Sequence, residues 1–395
     1  MFPIWRVVIS LTLTGAWAMG TSAQRNTDDE LAVPRLTKAE RSIAVSGEGY
    51  FPVLIRLLDG GLAAVVRGGA DHLGRGGRLD WIESRDGGKT WSAPRTIVDG
   101  PWDDRNPALG QMPDGAIVLA YWECRCYDEK GNWNAALPGS AMFYVRSEDS
   151  GKTWSQRRPL NTGPIGSAGG SPYGRIVLLR DGTALMAIYG APDPAYTGPD
   201  RIAEPGDAAG ILRSKDNGKT WGDFSLIAAG GRNETALLPL EGSTLLAASR
   251  TDRGGVVEAR LSPDGGRTWG PYISVTGGPN RSKMQHPADL VQLQSGHILM
   301  VYGNRVRPFG VGAVLSRDGG KTWDWEHRVM LGWTSGNTDT GYPSAVQLPD
   351  GTIVCLYYAV STEERPNVRQ AICVRFKEAD LVAAGRSVDE RIPAP

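Results

Sequence analysis

Apolar residues along this chain fall in paired runs. Six times an apolar run leads into a turn that contains Gly, and a second apolar run follows, at 51–67, 106–122, 172–190, 233–250, 286–305 and 342–358. The copies read roughly Pro-x-x-Val-x-Leu-x-Asp-Gly-x-Leu-x-x-x-Tyr and start 53 to 66 residues apart. Runs so rich in Val, Ile and Leu, with little alternation, predict strands covered on both faces. Asp-Gly between two such runs predicts a hairpin turn. A third strand follows each hairpin, as at 79–84 and 143–147, and then a fourth, as at 95–98.

Between third and fourth strands sits a box, Ser-x-Asp-x-Gly-[Lys/Arg]-Thr-Trp. It occurs five times, at 84–91, 147–154, 214–221, 262–269 and 316–323. Its Asp can accept bonds from nearby backbone N–H groups, its Gly supplies φ > 0, and its Trp is a large apolar plug. Asp86, Asp149, Asp216, Asp264 and Asp318 therefore read as turn fasteners. A catalytic acid is needed once, not five times.

Four antiparallel strands per unit, repeated six times, predict an all-β fold, a six-bladed β-propeller of four-stranded blades. The strand at 42–45 is expected to complete the last blade, whose own final strand is 370–376, and 379–383 a short helical turn. No linker divides the chain, so 24–395 is expected to be one domain. Residues 1–23 read as a signal peptide: Arg6, an apolar run too short to span a bilayer, then small residues before Gln24. That implies a secreted or periplasmic protein without membrane insertion.

Charge adds little. Forty-three basic and 43 acidic residues give no long-range pull on nucleic acid, though a local positive pocket remains open. The four cysteines show no zinc-type spacing, and neither a metal nor a cofactor is implied. Cys124 and Cys126 are too close along one strand to bridge easily. Cys355 and Cys373 lie on consecutive strands and are either neighbours or buried free thiols.

The topology decides which loops can do chemistry. Hairpin turns and boxes fall on one face. The starts of the inner strands and the ends of the second strands meet on the other, at the channel mouth. Gathered there are Asp103, Asp104, Arg105, Glu234, His286 and 339–342 from the starts, with Arg67, Arg250 and Arg305 from the ends. Arginine forks suit a carboxylate ligand.

Five such boxes on a six-unit pattern, with an export signal, resemble the sialidase superfamily over nearly the whole mature chain. Members hold the sugar carboxylate with three arginines, and use a Tyr nucleophile assisted by Glu and an Asp acid/base on a loop. By that resemblance Glu234 is the assisting carboxylate, Arg250 and Arg305 the second and third arginines, and Tyr342 the nucleophile. Asp71 is the loose match for the acid/base. The resemblance departs at the first arginine: the expected Arg-Ile-Pro reads Tyr50-Phe51-Pro52 here. Arg67 or Arg105 would have to reach the ligand instead, with Asp104 and His286 as further binding groups outside the family pattern. The implied activity is exo-hydrolysis of a terminal acidic sugar from a glycan. The alternatives are a hydrolase or lyase on uronic-acid polysaccharide, for which Asp103, Asp104 or His286 would do the chemistry, and a non-catalytic glycan-binding propeller.

Overall fold

The computed structural model describes residues 32–134, 137–166, 170–252, 254–276, 284–361 and 368–386. The expected signal peptide at 1–23 lies outside them. No described helix is long and apolar enough to cross a membrane.

The chain is all-β and propeller-like. It begins with β1 (Glu40–Ser46), which waits for a partner from the far end. Strands β2 (Tyr50–Arg56), β3 (Leu62–Gly68), β4 (Arg78–Ser84) and β5 (Arg95–Val98) form one sheet in that order. Two meanders follow. They are β6 (Asp103–Gln111), β7 (Ile117–Cys124), β8 (Ala141–Ser147) and β9 (Arg158–Pro159), then β10 (Ser171–Leu178), β11 (Ala184–Gly190), β12 (Ala208–Ser214) and β13 (Gly222–Ala228). They join into one eight-stranded sheet because β10 runs parallel to β6, with Gly174 and Arg175 beside Ala108 and Leu109. Two separate four-stranded sheets come next. The first holds β14 (Arg232–Pro239), β15 (Leu245–Thr251), β16 (Val257–Ser262) and β17 (Ile273–Ser274). The second holds β18 (Gln285–Gln292), β19 (Ile298–Asn304), β20 (Gly310–Ser316) and β21 (Val329–Gly332). Strands β22 (Thr340–Gln347), β23 (Thr352–Val360) and β24 (Arg369–Lys377) make the last sheet, and β1 completes it from Glu40↔Arg375 to Ser46↔Gln370. Helix α1 (Glu378–Arg386) is longer than the turn expected from sequence.

The core lies between sheets, which explains the unbroken apolar runs. One face of the β2–β5 sheet packs Val53, Ile55 and Val65 against Leu109, Leu119 and Val145. Its other face packs Leu54, Ala64 and Ile82 against Val354, Leu356 and Cys373 of the last sheet. A strand sandwiched this way has no solvent face and so no alternation: all eight residues of β7 are buried.

The boxes behave as one repeated turn. In each, the Ser hydroxyl donates to the Asp at 2.8–2.9 Å and accepts the Gly N–H. The Thr N–H and Thr hydroxyl both close onto the same carboxylate, the hydroxyl at 2.6 Å. At Gly88, φ is +86° and a Cβ would lie 2.9 Å from Val354, so both backbone angle and space require glycine.

All four cysteines are free and buried. Register pairs Cys355 with Val374 and Leu356 with Cys373. The two thiols are therefore on adjacent strands but on opposite faces of the sheet, and each belongs to a different inter-sheet core.

Candidate active site

Each of the inner strands β2, β6, β10, β14, β18 and β22 carries a register shift close to its start. In three of them a non-glycine residue before proline takes a left-handed backbone: Phe51 at φ 52°, Asn106 at 51° and Tyr342 at 47°. Such a conformation is costly for a bulky residue and is usually found where function requires it. It aims these side chains at a common space. The rings of Phe51 and Tyr342 are 4.7 Å apart, and Tyr173 and Tyr358 stand 6.3 and 5.9 Å from Tyr342. A cavity beneath them is lined by Phe51, Asn106, Tyr173, Asp289 and Tyr342.

Tyr342 from β22 donates its hydroxyl to Glu234 Oε1 from β14. Arg250, at the end of β15, donates from Nη1 to the other oxygen, Oε2, at 2.8 Å. Glu234 is buried. Burial raises the Tyr342 pKa first, and the Glu234 charge beside it adds to the rise. The phenol is thus neutral, with its proton held on a carboxylate. Burial opposes the Arg250 charge, but Glu234 outweighs it and keeps the guanidinium protonated.

Two arginines retain unused donors. Arg250 Nε and Arg305 Nη2 are buried and have no hydrogen-bond partner. Arg305 otherwise donates from Nε to Thr340 O at 3.2 Å and stands 5.6 Å above the Tyr342 ring. His286 is fully buried with neither ring nitrogen partnered. Burial, and then the charges of Arg250 and Arg305, push its pKa down to about 2. It is a neutral imidazole beside both cations. Orphaned buried donors each cost roughly 1–3 kcal/mol, and an anionic ligand would recover that.

Arg105 also faces this space. It packs over Phe51 at 5.2 Å and Trp133 at 5.5 Å and donates to Asp103 Oδ2 at 3.2 Å. Burial works against its charge, and Asp103 and nearby phenols more than offset it.

Three of the residues expected at the mouth are placed otherwise. Arg67 is fully buried and its five N–H groups are all engaged. Two go to Asp103 Oδ1, at 2.8 and 2.6 Å, and the others to the carbonyls of Ala70, Asp71 and Gly74. It shapes the loop after β3 and has no donor left for a ligand. Asp71 is 65% exposed and its carboxylate pairs with Arg369 on the rim. The loop that Arg67 holds turns it outward. Asp104 lies on the opposite face of β6 from Asp103 and Arg105, across from Glu123, and accepts Gly100 N–H at 2.6 Å. Burial, then the Glu123 and Asp103 charges, push its pKa up to about 7 against that hydrogen bond. Asp103 itself is a hub for Arg67, Arg105 and the Tyr127 hydroxyl.

The residue that turns inward from the first loop is His72. Its Nδ1 is 2.6 Å from Asp339 Oδ1, which also accepts the Tyr358 hydroxyl at 2.7 Å. Nothing in the local pattern separates His72 from its neighbour Asp71. The one available signal is that the chain holds four histidines and one of them is in this loop.

A Tyr–Glu pair held by Arg250, with Arg305 over the Tyr ring, thus sits on a box-repeat β-fold. The profile of the BNR repeat-like domain matches residues 81–355. The chain belongs to that family, within the sialidase superfamily. A sialidase of Bacteroides fragilis is 27% identical over 306 residues, covering 69% of this chain and 52% of the relative. The chain spans about half the length of the curated relatives it matches. Among solved structures, a Dyadobacter fermentans protein of unknown function has a TM-score of 0.69 at 23% identity, covering 85% of this chain and 97% of that one. A Hadza microbial sialidase has a TM-score of 0.62 at 23% identity, covering 84% and 66%.

Proposed function

We propose that this protein is an exo-acting glycosidase that removes a terminal acidic sugar by a retaining mechanism. The carrying observation is the Tyr342 hydroxyl donated to a Glu234 carboxylate that Arg250 also grips. A neutral phenol is a weak nucleophile. A carboxylate already bonded to its proton can take that proton as the oxygen attacks the anomeric carbon. Phenol in place of carboxylate avoids repulsion with an acidic sugar, and sialidases depart from the two-carboxylate rule in this way. Arg250 Nε and Arg305 Nη2 are the donors for the sugar carboxylate. The architecture goes with this reading: the eight-stranded sheet counts as two blades, and the six inner strands surround one channel in a single domain.

A second reading rests on Phe51. It stands where the resemblance calls for the first arginine, and Arg67 cannot replace that arginine. Arg105, over Phe51, is the nearest substitute. An acidic sugar with a smaller polar rim, such as a uronic acid, suits two or three cations arranged this way.

A fluorinated acidic sugar that slows breakdown of the intermediate tests the mechanism. The expected result is a covalent adduct on Tyr342 by mass spectrometry, retention of configuration, and a rate loss of several orders of magnitude in Tyr342→Phe with the fold intact. An adduct on another residue, or wild-type turnover in Tyr342→Phe, would overturn it.

A further inference from the structure

We propose that His72, not Asp71, is the acid/base of this site, and that Asp339 is its positioning residue. The inference rests on Tyr342 acting as nucleophile and names the partner that the resemblance assigns to an aspartate.

The geometry is a fixed juxtaposition. The His72 ring meets Phe51 edge-on with centroids 5.1 Å apart, and Phe51 lies against Tyr342. His72 also stands edge-on to Tyr50 at 5.7 Å and to Tyr358 at 6.4 Å. Its position is held from three sides. Arg67 Nη1 fixes the carbonyl of Asp71 at 2.7 Å. The Tyr50 ring that His72 meets is itself held by Arg369 Nε, which donates to the Tyr50 hydroxyl at 3.0 Å. Asp339 takes Nδ1 at 2.6 Å while its own orientation is fixed by Tyr358.

A carboxylate on Nδ1 sets the tautomer and leaves Nε2 as the nitrogen that gains and loses a proton. The side chain is 33% exposed, and among the described residues its one hydrogen bond is at Nδ1, not Nε2. Asp71, by contrast, has its carboxylate on Arg369 at the rim.

The steps balance. In the first, the Tyr342 oxygen bonds to the anomeric carbon and the bond from that carbon to the leaving oxygen breaks. The phenolic proton passes to Glu234, and the Nε2 proton passes to the leaving oxygen. In the second, a water oxygen bonds to the anomeric carbon and its proton goes to Nε2. The bond to Tyr342 breaks, and Tyr342 recovers its proton from Glu234. Tyr342, Glu234 and His72 all return to their starting states.

The test compares leaving groups. One acidic sugar is presented as its 4-nitrophenyl glycoside, whose departure needs little protonation, and as a disaccharide, whose departure needs a full proton. Proton donation by a positioned group contributes about 10²–10⁴-fold. His72→Ala and the more conservative His72→Gln are expected to lose kcat/KM by at least about 100-fold on the disaccharide and by less than about tenfold on the aryl glycoside. Asp339→Asn is expected to show the same split more weakly, and Asp71→Ala to stay within a few-fold of wild type on both. Adduct formation on Tyr342 with the fluorinated sugar is measured in the same variants. If the adduct forms but both His72 variants lose the two substrates equally, or if Asp71→Ala shows the split, His72 is not the acid/base. If wild-type protein forms no adduct on Tyr342, the nucleophile reading fails first and takes this one with it.

Discussion

Arg250 Nε and Arg305 Nη2 are buried without an acceptor, while Arg250 Nη1 donates to Glu234 and Arg305 Nε to Thr340 O. If these donors await a carboxylate, amidating that group on the substrate should cost roughly 1.5–3 kcal/mol per charge-assisted bond lost. Binding and kcat/KM for acid and amide give the comparison, and equal values would remove the clamp. Asp104 makes a different prediction. Its pKa is raised in the fold, so the native state binds more protons than the unfolded state between the two values. The stability it contributes is full below about pH 4 and is lost as pH rises through about 7. Asp104→Asn should therefore match wild type at pH 4 and exceed it at pH 8, by on the order of 1–4 kcal/mol, in urea unfolding at the two pH values. That Glu234, Arg250, Arg305 and Tyr342 meet was legible in the sequence, because strand ends and starts fix them. The surroundings of Asp71 and Asp104 were not. The first depends on a loop shaped by Arg67 from inside, and the second on which face of β6 a bulge presents.

The boxes carry their argument at the level of the turn. Each ties third strand to fourth through one carboxylate that receives a hydroxyl from either side, and the same bonds recur at every copy. Removing Asp216 orphans the Ser214 and Thr220 hydroxyls and the Thr220 N–H. Asp216→Ala should lower stability by about 1–3 kcal/mol while turnover per folded molecule barely changes. A folded variant with its rate down a hundredfold would contradict the structural role. Strands and boxes were both readable from their period. The fusion of two meanders through Gly174 was not, since it depends on how close β10 comes to β6 rather than on any residue pattern.

At the scale of the whole molecule, the first and last strands share a sheet. Ser42 lies directly opposite Cys373 across this seam. A Ser42→Cys variant places two sulfurs where a bridge can form, and Cys355 is on the wrong face to compete. Closing so long a loop stabilises by up to about 5 kcal/mol in the chain-entropy account. Melting of the oxidised variant with and without reductant measures it, and an unchanged melting temperature would show that the seam already stays shut through unfolding. Closure by β1 was expected from sequence because the last unit lacks a fourth strand of its own.

The direction of that seam has a mechanical consequence. Glu40 at the start of β1 lies opposite Arg375 near the end of β24, while Ser46 lies opposite Gln370. Both chain directions therefore leave the seam at the same end. A pull applied through the outer ends of these two strands loads the pair one bond at a time, like a zipper, rather than all bonds together in shear. The latch resists heat and solvent through the packing of Val45 and Cys373 behind it, yet yields to a small force from that one end. Anchored by one end alone, the fold feels no such load.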